Sequence, residues 1–186
     1  MPETNLSVLH LPPWDEETGL LNTIIETPKG ARNKFAYDET LKLFRLKKVL
    51  PIGMVFPFHF GFIPSTWAED DGPLDVLVLL EEPAFPGCLV PARLLGAIEA
   101  KQTKKGKTLR NDRLVAAADK MPAFESYKSL NDLEPAVLEQ IEHFFVSYNE
   151  AEGKAFKILR RSSPAQARKL IHAAVELYRQ EKPDAG

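Results

Sequence analysis

Apolar residues come in short runs along the first two thirds of the chain and at helical spacing along the last third. Leu21–Thr27 is apolar and β-branched and is closed by Pro28. The stretches 34–38 and 41–48 alternate weakly, and 59–63, 74–80, 88–100 and 114–118 follow, separated by Gly, Pro, Asp or Lys clusters. Such runs, bounded by turn formers, predict strands. Short strands with frequent turns point to a small barrel or sandwich. In 133–149, Val137, Leu138, Ile141, Phe144, Phe145 and Tyr148 fall on one helical face. Ser163, Pro164 and Gln166 form a helix-start signature. It predicts a helix from there to residue 180 that buries Leu170, Ile171, Ala174, Leu177 and Tyr178. Strands first and helices last imply an α+β, mainly β fold with helices against a barrel.

Composition narrows the function classes. The chain has 186 residues, no clear linker and no internal repeat. One domain over 1–186 is expected, with an N-terminal extension at 1–20, a barrel at 21–120 and a helical part at 130–181. A net charge of −2 disfavours a general nucleic-acid or membrane binder. The lone Cys88 excludes an internal disulfide and fits a reducing compartment. The start, MPETNLSVLHLPPWDEE, lacks a basic segment followed by an apolar run. No stretch approaches the length of a membrane span. A cytoplasmic location is expected. His10, His59, His143 and His172 form no H-E-x-x-H spacing.

The acids carry the candidate chemistry. Asp75 stands at the head of the run 74–80 and shares a side with Leu77 and Leu79. A carboxylate there is costly unless something pairs with it. It is expected to face a cavity at the barrel mouth, balanced by an ion or a cationic side chain. Asp70, Asp71 and Asp75 flank the Gly72-Pro73 bend and are close enough along the chain to converge on one hard cation such as Mg²⁺, with Glu26 a fourth ligand. The competing reading makes Asp70 and Asp71 turn formers and Glu26 the end of a strand edge.

Five separated segments occur in a recognisable order: IIETP (24–28), KFAYD (34–38), FPFHFGFIP (56–64), DDGPLDVLVL (70–79) and IEHFFVSYNEAEGK (141–154). Together they resemble soluble family I inorganic pyrophosphatase over residues 20 to 180. The resemblance implies a five-stranded OB-type barrel with flanking C-terminal helices and a homo-oligomer, commonly a hexamer. It also implies Mg²⁺-dependent hydrolysis of pyrophosphate to two phosphates. Matched residue by residue, it makes Glu26, Asp70 and Asp75 metal ligands, with Asp71 displaced by one position. Asp70, Asp75 and Tyr148 are the catalytic candidates. Lys34, Lys48, Arg113, Tyr148 and Lys154 are the substrate-binding candidates.

The departures from the pattern matter as much. An acid expected two residues after Lys34 is Ala36, and an arginine is Lys48, which keeps charge but loses the planar fork. Two tyrosines are Phe56 and Phe60, and the middle aspartate of the main signature falls on Gly72. An acidic loop is replaced by KQTKKGKTLRNDR (101–113), with Asn111 at one ligand position and Arg113 in place of a lysine. Asn149 also stands in place of a lysine. If this loop is strand, Asp112 points to the wrong face to rescue the site. The depleted set leaves room for one divalent ion on Asp70 and Asp75, completed by water or Asp71.

Two functions follow as expectations. One is a metal-dependent pyrophosphatase of low activity. The other is a weak or inactive pseudoenzyme that binds pyrophosphate or another phosphorylated small molecule through Lys34, Lys48, Lys154 and the basic loop 101–113. The competing reading of that loop is a solvated β-hairpin that contacts nothing. A third, an OB-type single-strand nucleic-acid binder, is disfavoured by the charge balance. The alternating Phe56, Phe58, Phe60 and Phe62 are expected as core, and His59 as structural.

Overall fold

The computed structural model describes residues 7–182. In chain order its strands are β1 (Leu21–Thr27), β2 (Asn33–Asp38), β3 (Leu43–Val49), β4 (His59–Phe62), β5 (Asp75–Leu79), β6 (Leu89–Lys104), β7 (Lys107–Arg110), β8 (Arg113–Ala118) and β9 (Ala155–Ser162). The helices are α1 (Pro135–Glu150) and α2 (Pro164–Glu181). β1, β4, β5, β8 and β6 pair in that order, and β6 returns to β1, so five strands close a ring. Only the β5–β8 pairing within the ring is parallel. The α+β class and five-stranded OB-type barrel expected from the sequence are what the chain adopts.

Strand alternation decides which helix each face meets. Leu77 and Leu79 of β5 join one core cluster with Leu138, Ile141 and Phe145 of α1. Val76 and Val78, on the opposite face, join a second cluster with Ala167, Ile171 and Ala174 of α2. This explains why 76–79 is apolar on both sides: both faces of β5 are covered. On α2, Ser163 Oγ caps the Gln166 N–H at 3.3 Å, and Tyr178 is buried. Leu170 and Leu177 are only half-buried, because the contact stripe is narrower than the apolar face. Residues 7–14 are tied to the barrel as well: Leu9 packs with Ile24 and Phe62.

Two elements differ from the sequence pattern. The run 88–100 continues to Lys104 and folds back through Lys105 and Gly106, both at positive φ (49° and 81°), into β7. Paired positive φ values are what a tight two-residue hairpin requires. β9 goes unpredicted, because Lys157, Arg160 and Arg161 blur its alternation. Pairing to β6 from Thr103 to Ala97 fixes it instead. Two of those basic residues have tertiary partners: Arg160 Nε donates to the buried Glu99 at 2.9 Å, and Arg161 is paired to Glu142.

Candidate active site

Two irregularities in strand pairing build the mouth of the barrel. On β1, Ile25 pairs with Gly61 and Thr27 with Phe60, so Glu26 is the extra residue of a bulge. On β3, Lys48 pairs with Lys34 and Leu46 with Phe35, so Lys47 is the extra residue. A bulge re-aims side chains that regular alternation would send elsewhere. Lys47 and Lys48 are consecutive, yet both line the same pocket, about 380 Å³ in volume, together with Glu26. Glu26 Oε1 accepts from the Tyr37 N–H at 3.0 Å. Burial raises its proton affinity against the pull of nearby Lys34.

Arg113 is what Asp75 faces. The first residue of β8 reaches the first residue of β5, Nη1 to Oδ2, at 2.5 Å. The same Nη1 also donates to Asn111 Oδ1 and, at 3.2 Å, to the Asp112 carbonyl. Its guanidinium carbon lies 5.1 Å from the centre of the Phe145 ring and 5.6 Å from that of Phe156. Arg113 therefore closes the aromatic end of the core with a fixed positive charge. Its Nε is buried without a hydrogen-bond partner. Asn111 Nδ2 donates to Gln102 Oε1 at 3.1 Å. Both amides, with Arg113, face the pocket. Asp112 does not: it accepts from the Ala100 N–H and pairs with Arg110.

A basic wall stands opposite. The Lys34 ammonium sits 4.2 Å from the centre of the Phe60 ring and that of Lys48 4.1 Å from the centre of Tyr148. Burial lowers the proton affinity of Lys34, with Glu26 pulling the other way. Burial, then Lys34, Lys154 and Lys47, push Lys48 down to about 7. Glu152 is in contact with the Lys48 ammonium. Glu152 also pairs with Lys154 at 2.8 Å. Burial first, and then the Asp75 charge, push the Tyr148 hydroxyl above its ordinary range, so it stays protonated and able to donate.

The acidic wall is the turn before β5. Ala68 and Gly72 bridge it, and Asp71 holds its tip at a φ of 62°. Asp70 and Asp71 make no ion pair among the described residues. Loss of water around Asp70, then Asp75, push its carboxyl up to about 6. Even so, among the described residues no three His, Cys, Asp or Glu side chains are placed to hold one metal ion. The expected convergence of Asp70, Asp71 and Asp75, with Glu26 as fourth ligand, is not formed. Arg113 takes Asp75, Glu26 is bonded to the β2 backbone, and Asp71 stands exposed in its turn. The pocket also balances itself: Glu26, Asp70, Asp71, Asp75 and Glu152 match Lys34, Lys47, Lys48, Arg113 and Lys154. Several divalent ions need an excess of carboxylates, so these residues do not fit a multi-ion centre. Asp70 and Asp71 fit one Mg²⁺, which binds through one or two carboxylates, substrate oxygens and water.

The hairpin lysines take no part. Lys101, Lys104, Lys105 and Lys107 lie outside the pocket lining, and Arg110 is turned to Glu99 and Asp112. Of the two readings of the basic loop, phosphate contact and a solvated hairpin, the lysines follow the second; of 101–113 only Gln102, Asn111 and Arg113 reach in. Phe56, Phe60 and Phe62 are buried, as expected, while Phe58 is only partly buried against the same core. Phe60 and Phe62 nonetheless line the pocket. His59 is structural: Nδ1 accepts from the Lys29 N–H at 3.3 Å and Nε2 lies 3.1 Å from the Glu82 carbonyl. Sequence reasoning missed Lys47 and Glu152. Only the β3 bulge reveals Lys47. Glu152 carried a signal, an acid two residues before Lys154.

Comparison with known proteins agrees with this geometry. The family model described as inorganic pyrophosphatase matches residues 23–179. The inorganic pyrophosphatase of Nostoc sp. is 35% identical over 167 residues, covering 90% of this chain and 96% of that one. That of Halalkalibacterium halodurans is 35% identical, covering 88% and 98%. The crystal structure of inorganic pyrophosphatase from Thermus thermophilus superposes with a TM-score of 0.84 at 30% identity, covering 93% of this chain and 99% of that one.

Proposed function

The chain belongs to the inorganic pyrophosphatase family, and we propose that its pocket binds pyrophosphate, or a related phosphoanhydride, as a complex with a single Mg²⁺ and hydrolyses it slowly. One observation carries this reading: a basic wall of Lys34, Lys48 and Lys154 faces an acidic turn at Asp70 and Asp71 across a pocket with no net formal charge. A bare tetra-anion gains little from a neutral pocket. An anion carrying one divalent ion matches both walls. The lysines and the Tyr148 hydroxyl hold phosphate oxygens, while Asp70 with Asp71 or water holds the ion. When bound, the ion neutralises phosphate charge and lowers the pKa of a bound water. Arg113, held by Asp75 and Asn111, supplies the fixed charge that flexible lysines cannot.

Calorimetric titration of pyrophosphate with and without Mg²⁺ tests this. Mg²⁺ is expected to tighten binding with one ion per chain, and Asp70→Asn to remove that gain while leaving metal-free binding. Two or more ions per chain, or a gain that survives in Asp70→Asn, defeats the reading.

Binding is also expected to depend on pH through Lys48. In the free protein burial and like charges lower its pKa towards 7. A bound anion favours the charged form and raises that pKa again. Binding therefore takes up a proton above about pH 7, and affinity falls as the pH rises from there. Titrations in buffers of different ionisation enthalpy measure the uptake. Lys48→Arg, charged throughout, is expected to abolish it; an unchanged uptake in that variant moves the titration to another group.

A further inference from the structure

A second groove, about 340 Å³, opens off the phosphate pocket. The two share Lys48, Tyr148 and Glu152, so they meet along one seam. Beyond the seam the lining changes character. Val49, Leu50, Pro51 and Met54 form an apolar wall, and Ala151 closes the far side. Arg32 is the one further cation in the lining, at an exposed position, and its Nη2 donates to the Leu50 carbonyl at 3.0 Å. The wall is held in place, because the Leu50 N–H returns a bond to the Arg32 carbonyl at 2.8 Å and the Met54 N–H closes a turn onto Pro51 at 3.1 Å.

These features decide what a ligand can place there. Another phosphate would meet the Glu152 carboxylate at the seam and then the apolar wall, with Arg32 as its one cation. The groove offers a longer polyphosphate no counterpart of the lysine wall. Water gains nothing from Val49, Pro51 and Met54, whereas an aliphatic group gains by covering them. The groove holds no aromatic face beyond the shared Tyr148 ring, and Lys48 already covers that ring at 4.1 Å. A stacked base has no platform.

We infer that the pocket and groove together accept a diphosphate monoester carrying a short aliphatic chain, with the diphosphate against the lysine wall and the chain over Val49, Pro51 and Met54. The inference rests on the phosphate-binding reading of the main pocket. It extends the ligand class from inorganic pyrophosphate to an organic diphosphate.

The test is calorimetric binding of isopentenyl diphosphate, adenosine diphosphate and inorganic pyrophosphate, each with Mg²⁺. Isopentenyl diphosphate is expected to bind about tenfold more tightly than pyrophosphate, as covering a few methylene groups predicts. Adenosine diphosphate is expected to bind no better than pyrophosphate. Ala151 is exposed at the end of α1, so Ala151→Phe fills the groove from its rim without entering the core. It should erase the preference for isopentenyl diphosphate and leave pyrophosphate affinity within about twofold. Val49→Asn, also at an exposed position, should act the same way by making the wall polar without adding a charge beside the diphosphate. Equal affinities for the ester and pyrophosphate in the parent protein overturn the inference while leaving the phosphate pocket intact. So does a preference that survives both variants, or a preference for adenosine diphosphate. Failure of all three ligands to bind overturns the phosphate pocket and the groove together.

Discussion

Phosphate release from pyrophosphate and Mg²⁺ is expected to run about 10³–10⁶-fold below that of a family member with a full set of acids. The estimate takes three missing carboxylates at about 10–100-fold each, the cost of losing even an outer partner of a metal ligand. The structure locates the losses. Ala36, Gly72 and Asn111 all line the pocket where the family pattern implies acids, so the positions survive and the oxygens do not. Asp75 is retained but carries Arg113, which competes with any ion for the same carboxylate. Putting oxygens back should restore turnover. The triple variant Ala36→Glu, Asn111→Asp, Arg113→Lys is expected to gain at least about 100-fold over the parent, two ligands being returned. Side-by-side colorimetric phosphate assays with a full-set relative decide both points. A parent rate close to the relative's, or a triple variant no faster than the parent, sinks the account of the site as depleted.

Gly61→Ala is expected to destabilise the fold by about 4 kcal/mol or more, or to prevent folding. Gly61 lies on β4 between Ile25 of β1 and Val76 of β5. An added Cβ would stand 1.9 Å from the Ile24 carbonyl oxygen and 2.8 Å from its carbon. Those are backbone atoms, so no rotamer change relieves the clash. The β1–β4 pairing must open, and the bulge that presents Glu26 opens with it. Urea unfolding followed by far-UV circular dichroism measures the loss. A change below about 1 kcal/mol would mean that the ring relaxes at this seam, contrary to close packing of the barrel. A variant that folds should also bind pyrophosphate more weakly, because the bulge that presents Glu26, whose charge acts on Lys34, sits on this seam.

Much of the fold is legible in local pattern. Leu21–Thr27 and 76–79 read as strands because both are short and rich in β-branched and aliphatic residues. α1 reads as a helix because Leu138, Ile141, Phe145 and Tyr148 repeat at its period, and that face is the buried one. β9 was not legible, because its stability comes from partners on β6 and from Glu99, far away in sequence. The basic stretch 101–113 left two readings open for a related reason. Charge is visible in a sequence, but the hairpin register sends the lysines out and turns Asn111 and Arg113 in.

The family, the order of strands and helices apart from β9, and the acids and bases of the barrel mouth apart from Lys47 and Glu152 were thus legible in the sequence alone. Local periodicity and residue type carry that information. The tertiary structure alone decided that Asp75 is matched by Arg113, that Glu152 meets Lys48, and that bulges bring Glu26 and Lys47 into one pocket. Each of these depends on a register shift or on a contact between elements far apart in the chain. One residue of register moves a side chain to the opposite face, and no local pattern records that choice.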